Sequence, residues 1–168
     1  MDRIDVSETF PYRAEDLIEL VLDVEKYTEI SNYVKSVEVE DKGDNTKGVL
    51  TTIEAPFLPV ALSYGCDLQF EAPNKIKAIA TKSPFKEMRG ELVFNTLENG
   101  HTQVDCTVEY RTGWSPVAFA AAQVMKREID LAVRKTREYL AQRLTAVDDQ
   151  SPSGNGPAAP SSGDGPNL

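Results

Sequence analysis

The middle of the chain alternates between apolar and polar residues with a period of two. The clearest run is 60–70, where one face holds six side chains: Val60, Leu62, Tyr64, Cys66, Leu68 and Phe70. Residues 102–110 repeat the pattern, and weaker versions occur at 34–39, 49–54, 76–82 and 88–97. Such alternation is typical of antiparallel strands that bury one face and solvate the other. It predicts a sheet of about seven strands, counting one before the first helix.

Helical patterns lie on either side of this region. Over residues 14–22 an apolar stripe recurs at helical spacing, and a second short turn follows at 25–29. The longest helix is predicted over 116–144, where Pro116 occupies the permitted first turn. Its apolar positions step by three or four residues: Ala118, Ala122, Met125, Ile129, Ala132, Thr136 and Leu140. A curved sheet with one apolar face needs a cover, so we expect an α+β fold in which the sheet wraps this C-terminal helix.

The composition changes abruptly at residue 148. Of the 21 residues in 148–168, 12 are Ser, Pro or Gly, and this segment carries three acids and no base. Such a segment buries too little apolar surface to offset its conformational entropy. We therefore expect one folded domain over 1–147 and a disordered tail over 148–168. The whole chain of 168 residues has a formal charge of −9, which leaves −6 on the predicted domain.

The charge and the residue types disfavour several classes of function. An acidic protein lacks the clustered Lys and Arg that bind phosphates, so we expect no nucleic-acid partner. Two cysteines and a single histidine are too few for a disulfide framework or a typical zinc site, and no cofactor motif is present. The N-terminal residues have no apolar signal region, and no run is long enough to span a bilayer. The expected location is the cytoplasm, and the sequence leaves the oligomeric state open.

The connections of an antiparallel sheet alternate between its two ends. Polar connections fall at one end: 41–48, 72–75 and 98–101. The remaining connections share the opposite end: 55–59, 83–86 and 112–116. Each of this second set contains proline and a large apolar side chain, namely Phe57 with Leu58, Phe85, and Trp114. Exposed loops are normally polar, so two interpretations remain. Either these side chains surround the mouth of an apolar cavity, or they fold inward and plug a solid core.

Two segments resemble a known superfamily. Residues 12–17 and 21–27 resemble the entry helices of START-like (SRPBCC, helix-grip) proteins. Ser83-Pro84-Phe85, with the inward residues of the strand that follows, resembles the Gly-Pro-Phe strand of the coenzyme Q-binding and polyketide cyclase/dehydrase branches. The resemblance covers about residues 1–144. It implies a helix-grip fold with a cavity between the sheet and the C-terminal helix, gated by the loops of the second set.

Candidate ligand-binding residues follow from the strand faces, the apolar loops and the long helix. They are Phe57, Leu58, Leu62, Tyr64, Phe85, Met88, Arg89, Tyr110, Trp114, Phe119, Ala122 and Met125. Tyr64 and Tyr110 either grip a polar group of the ligand or extend their hydroxyls to the surface. Strict alternation directs Arg89 outward, whereas a bulge near Gly90 would turn it inward. Cys66 and Cys106 are expected to be structural, and His101 lies in a turn at the polar end.

The leading hypothesis is a protein that binds or transports a hydrophobic small molecule, of the lipid, isoprenoid or quinone-like kind. The alternative is an aromatase/cyclase-like enzyme acting on a polyketide-type substrate, which the resemblance implies. No residue pattern typical of nucleophilic catalysis is present, so no catalytic residue is assigned. Loops 55–59, 83–86 and 112–116 are also candidates for transient membrane contact, which the acidic charge would require to be hydrophobic.

Overall fold

The computed structural model describes residues 1–56 and 58–147. Phe57 and the tail predicted over 148–168 lie outside the described residues. The elements in chain order are β1 (Asp2–Phe10), α1 (Ala14–Leu22), a 3₁₀ turn (Val24–Lys26), α2 (Tyr27–Ile30), β2 (Val34–Gly43), β3 (Thr46–Ile53), β4 (Leu62–Glu71), β5 (Lys75–Lys82), β6 (Glu87–Thr96), β7 (Thr102–Arg111) and α3 (Pro116–Arg143).

One antiparallel sheet contains all seven strands in the order β1-β7-β6-β5-β4-β3-β2. Consecutive strands from β2 to β7 are neighbours, and β1 joins the sheet beside β7. The long helix α3 follows the last strand. The predicted α+β architecture, with its curved sheet and long C-terminal helix, is confirmed.

The connection between β2 and β3 is tighter than the sequence pattern indicates. Residues 41–48 were expected to form a loop, but both strands continue into them and Gly43 pairs with Thr46. The turn is closed by Gly43, Asp44 and Asn45, which all have positive φ angles, as tight hairpins require. The alternation is hidden here because β2 is an edge strand whose last residues are exposed on both faces.

Strand register places the apolar residues on the face toward α3, which we call the concave face. On β7 this face carries Val104, Val108 and Tyr110, and Met88 of β6 is in register with Tyr110. The opposite, convex face carries charged pairs such as Arg89 with Glu109 and Lys77 with Glu71. The sheet therefore has the one apolar and one solvated face that the alternation predicts.

The largest buried cluster lies at the polar end of the sheet. It joins the end of β1 and helix α1 to the middle strands and to α3, through Phe10, Tyr12, Ala14, Leu17, Ile18, Ile76, Phe94 and Leu140. A second cluster lies beneath the 3₁₀ turn and contains Val24, Val49, Cys66 and Leu68. Buried Thr102 supports the first cluster by donating a hydrogen bond from its hydroxyl to the Tyr12 carbonyl at 2.7 Å.

The C-terminal half of α3 is fastened to this end of the sheet. Leu140 is 1% exposed within the larger cluster. Arg137 donates to the Glu8 carboxylate at 2.6 Å and to the Thr9 carbonyl at 2.9 Å. Its guanidinium also lies 4.5 Å from the centre of the Phe10 ring. Apolar burial and a charge-assisted bond therefore act on the same two turns of the helix.

The N-terminal end of α3 is set by local contacts. The Ser115 hydroxyl accepts a hydrogen bond from the backbone N–H of Ala118 at 3.3 Å, and Pro116 occupies the first turn. Serine at this position and proline just after it are preferred helix starts. Because α3 begins directly after the loop that follows β7, its first two turns lie at the end of the sheet opposite the polar connections.

Replacing Leu140 with Ala tests whether burial of this side chain holds α3 against the sheet. We expect the free energy of unfolding to fall by about 2–5 kcal/mol, because the change removes buried apolar atoms and leaves a cavity. The measurement is urea denaturation. Val39→Ala is the control, since Val39 is 38% exposed on an edge strand and its loss is expected to change the value by under about 0.5 kcal/mol. Equal effects of the two substitutions would contradict the assignment.

Candidate functional site

The concave face has a floor of small residues on β5 and β6. Gly90 pairs with Ala78 on one side and with Val108 on the other. A Cβ atom built on Gly90 would meet only two described atoms within 4 Å outside its chain neighbours, the Ala78 Cβ and the Thr107 carbonyl oxygen, both at 3.7 Å. By contrast, a Cβ on Gly65 would lie 3.0 Å from the Thr81 hydroxyl. A Cβ atom at Gly90 would therefore make ordinary van der Waals contacts with the neighbouring strands, and no described atom of α3 would lie within 4 Å of it.

The alternation of apolar and polar residues does not by itself predict this floor. In the sequence, Gly90 suggests only a possible bulge. A usable signal was present, because Ala78 and Gly90 occupy inward positions of adjacent strands, where large apolar side chains are usual. Small residues at paired inward positions mark the place where a sheet leaves room.

Tyr110 lies at the end of β7 nearest the start of α3. It is 1% exposed, and its hydroxyl has no hydrogen-bond partner among the described residues. The Phe85 ring lies against it, with the ring centres 5.1 Å apart and the planes tilted by 54°. The structure thus brings together three candidates from the sequence, Tyr110, Phe85 and Met88, and leaves a polar atom among them without a partner.

The other candidates on the concave face or on α3 are buried to different extents. Ala122 is buried, whereas Leu62, Tyr64 and Met125 are only half-buried. The half-buried Leu62 and Met125 contrast with the fully buried residues of the larger cluster at the polar end. Tyr64 and Ala78 pack against the second cluster, whereas Leu62 and Met125 are not among the described residues of either cluster.

A group of titratable side chains lies beside the second buried cluster. The Tyr27 hydroxyl donates to the Val21 carbonyl at 2.6 Å. Burial raises the pKa values of Tyr27 and Tyr64 well above the ordinary tyrosine value. Burial, together with the charge of Asp67, raises the pKa of Cys66 to about 11, although a hydrogen bond with Tyr64 opposes the shift. These groups stay protonated at neutral pH, so they can donate a hydrogen bond but do not act as bases.

Exposed apolar side chains gather at the end of the sheet where α3 begins. Trp114 is fully exposed, Phe119 is 63% exposed, and Val60 and Val117 are also exposed. We call these four residues the apolar rim. Leu58 is half-buried in the 54–61 connection, where its backbone N–H bonds to the Ala55 carbonyl at 2.9 Å.

The side chains of the rim point away from the interior. Trp114 is exposed and does not plug the end of the core, and Phe85 packs on Tyr110. Phe119 directly follows Ala118, which is fully buried. The helical rotation of about 100° per residue therefore turns Phe119 outward, away from the concave face.

Arg89 lies on the convex face. Pairing between β6 and β7 is continuous from Glu87 with Arg111 to Thr96 with Thr102, so no bulge interrupts the alternation near Gly90. The Arg89 guanidinium instead forms an ion pair with Glu109. The inward orientation that a bulge would have produced is absent from this strand, and Arg89 does not join the other candidates.

The remaining candidate chemistry lies elsewhere. His101 lies in the turn between β6 and β7, at the polar end of the sheet. Cys106 lies on β7, where burial raises the pKa of its thiol. Among residues 1–56 and 58–147, no three His, Cys, Asp or Glu side chains are grouped closely enough to hold a metal ion. No helix in the same residues is long and apolar enough to cross a membrane.

Comparison with known protein families shows which family the chain belongs to. Residues 10–137 match the family described as "Polyketide cyclase / dehydrase and lipid transport". The chain belongs to this family. Family membership and the fold confirm the relationship to START-like proteins that the loop and helix segments indicate. No curated protein matches the chain significantly.

Solved structures share the fold at low sequence identity. The Zhui aromatase/cyclase from Streptomyces sp. R1128 is 14% identical, with 84% of this chain and 92% of that chain covered and a TM-score of 0.66. A protein from Thermus thermophilus is 15% identical over 86% and 100% of the two chains, with a TM-score of 0.71. A STAR-related lipid transfer protein from Xanthomonas axonopodis is 13% identical over 83% and 86%, with a TM-score of 0.68.

The raised pKa of Cys66 predicts a loss of stability in alkali. In the unfolded chain the thiol ionises near its ordinary pKa of 9.0, whereas the folded protein keeps it protonated to about 11. The contribution of the protonated thiol to the free energy of unfolding is complete below pH 9. It is lost as the pH rises toward 11, by at most about 1.4 kcal/mol per pH unit. Urea unfolding at pH 8, 9 and 10 is expected to show a steeper decline for the wild type than for Cys66→Ala. Parallel declines would refute the shift.

Proposed function

We propose that the protein binds a hydrophobic small molecule between the concave face and α3. The observation that supports this proposal is the pair of small residues Gly90 and Ala78 on the concave face, where no described atom of α3 lies within 4 Å of a Cβ built on Gly90. An α3 side chain packed directly on this floor would lie in van der Waals contact with the Gly90 position, since protein interiors are closely packed. The half-buried Leu62, Tyr64 and Met125 support the same interpretation.

The character of these side chains favours an apolar ligand of the lipid, isoprenoid or quinone-like kind. Binding would gain about 25 cal/mol for each Å² of apolar surface removed from water. A ligand burying roughly 300 Å² would gain about 7 kcal/mol before the entropic cost of association is subtracted. Family membership supports this class of ligand, since the family description includes lipid transport.

Filling the space over Gly90 tests the proposal. Gly90→Leu is expected to weaken binding of the neutral fluorescent probe N-phenyl-1-naphthylamine at least about tenfold, because the new side chain occupies the ligand volume. Gly90 does not have a positive φ, so the backbone accepts a side chain there, and stability is expected to stay equal or rise. Binding is followed by fluorescence titration and stability by thermal unfolding.

The matched control is Glu91→Leu, one residue further along β6. Alternation directs this side chain to the convex face, where the wild-type carboxylate pairs with Lys75 at 3.3 Å. The control is expected to retain probe binding. If Gly90→Leu retains its affinity while folding normally, or if the wild type does not bind the probe, the proposed cavity is wrong.

We also propose that the apolar rim contacts membranes, from which such a ligand would be taken up. Trp114 and Phe119 have the amphipathic or apolar rings that favour the interface between headgroups and acyl chains. The 83–86 connection, which the sequence also marks for membrane contact, lies at the same end of the sheet. Because the protein is acidic, its charge would not attract it to a lipid surface, and the contact would depend on insertion of apolar side chains. Membrane binding is therefore expected to be insensitive to salt.

The single tryptophan makes this contact measurable. Neutral phosphatidylcholine vesicles are expected to shift the emission of Trp114 to shorter wavelengths, because the exposed ring would leave water. Val117→Ser is expected to weaken the shift, whereas Val39→Ser, equally exposed at 38% on β2, is not. An unchanged emission spectrum with vesicles in excess would rule out the contact.

An aromatase/cyclase-like activity is the second candidate, favoured by the family description and by the shared fold of an aromatase/cyclase. Cyclisation needs groups that move protons as well as a cavity that holds the chain. The titratable side chains on the concave face include Tyr64 and Cys66, whose raised pKa values keep them protonated. They fit the role of hydrogen-bond donors better than that of bases, which favours binding over catalysis.

A further inference from the structure

The Tyr110 hydroxyl is a polar atom placed where a solid apolar core would have none. Two of its neighbours are apolar: Phe85 lies against the ring, and Met88 lies beside it on the next strand. Val108 and Gly90 follow on the same face. A buried hydroxyl without a partner costs about 1–3 kcal/mol, and phenylalanine would avoid that penalty. The hydroxyl is therefore explained best by a partner that arrives with the ligand.

The surroundings of Tyr110 also define the charge of that partner. Two arginines on the strands around Tyr110 are directed to the convex face, where Arg89 pairs with Glu109 and Arg111 pairs with Glu87. On the concave side, the register partner of Tyr110 on β1 is Asp2, an acid. A negatively charged group here would lose its hydration and would lie near the acid Asp2, whereas Arg89 and Arg111 are paired on the other face of the sheet.

We propose that Tyr110 hydrogen-bonds an uncharged oxygen of the ligand, a carbonyl or a hydroxyl. The ligand would accordingly be an oxygenated hydrophobic molecule, and neither a pure hydrocarbon nor a carboxylate. This inference rests on the proposed function, because it assigns one chemical group within the same cavity. A phenol both donates and accepts hydrogen bonds, so it suits a ketone, an ester, a quinone or an alcohol.

The position of Tyr110 gives the ligand a direction. Tyr110 is separated from the apolar rim by only three residues, Arg111 to Gly113. The oxygen would lie beneath the first turns of α3, close to the end where the rim lies. The apolar remainder would extend along the floor formed by Gly90 and Ala78.

Three probes with the same ring system test this assignment: naphthalene, 2-naphthol and 2-naphthoate. Equilibrium dialysis at pH 7 is expected to show that the wild-type protein binds 2-naphthol about 3- to 10-fold more tightly than naphthalene, the range of one neutral hydrogen bond. The carboxylate is expected to bind more weakly than either. Tyr110→Phe is expected to bind naphthalene unchanged and to lose the preference for 2-naphthol.

A matched tyrosine provides the control. Tyr139 is also buried, but it lies in the fastened half of α3 under the Arg143 guanidinium, far along the helix from the rim. Tyr139→Phe is expected to keep the preference for 2-naphthol. The ligand-free Tyr110→Phe protein is expected to melt no lower than the wild type, because the wild-type hydroxyl has no hydrogen-bond partner among the described residues.

The possible results separate the two proposals. If naphthalene and 2-naphthol both fail to bind the wild type, the cavity itself is refuted and this inference falls with it. If naphthalene binds but 2-naphthol has no advantage, or if the advantage survives Tyr110→Phe, the role of Tyr110 is refuted and the cavity stands. Tighter binding of 2-naphthoate would overturn the assignment of an uncharged oxygen.

Discussion

The attachment of one half of α3 is the constraint on which the arrangement of this protein depends. Leu140 is buried with Ile76 and Phe94, and Arg137 bonds to Glu8 and Thr9 on the edge strand. These contacts fix the helix at the polar end of the sheet. The first two turns of α3 are positioned separately, by the Ser115 cap and the buried Ala118. A helix held in this way can cover a sheet without filling the space beneath its whole length.

Function is proposed at the end of the sheet opposite the larger buried cluster. Large apolar residues fill the polar end, whereas Gly90 and Ala78 form the floor further along the strands. The same end displays Trp114 and Phe119 to solvent and hides the Tyr110 hydroxyl. Exposed apolar rings and a buried polar atom are both unfavourable in an isolated folded domain. A lipid surface would remove the exposed apolar rings from water. A ligand with an apolar body and an oxygen would give the buried hydroxyl a hydrogen-bond partner.

Periodicity was sufficient to predict the architecture, because each strand has one apolar face and the apolar stripe of α3 continues for many turns. It could not define the site to the same degree. Alternation placed Arg89 outward and Tyr110 inward, but burial of the Tyr110 hydroxyl depends on neighbours distant in sequence, including Phe85. The outward turn of Phe119 follows from which face of α3 meets the sheet, and that face is set by tertiary contacts. Gly90 and Ala78 become neighbours only when β5 pairs with β6, and no local pattern records that pairing.

The hairpin of β2 and β3 has a consequence for the sheet as a whole. β2 is an outer strand of an open sheet, and such strands offer unpaired backbone groups to neighbouring molecules. Here the strand carries Glu38, Glu40 and Asp41, and its pairing with β3 is interrupted by irregularities near both ends. Like charges and a distorted backbone oppose edge-to-edge association of two copies through this strand. The protein can therefore expose an unpaired edge strand while disfavouring the addition of further copies along that edge.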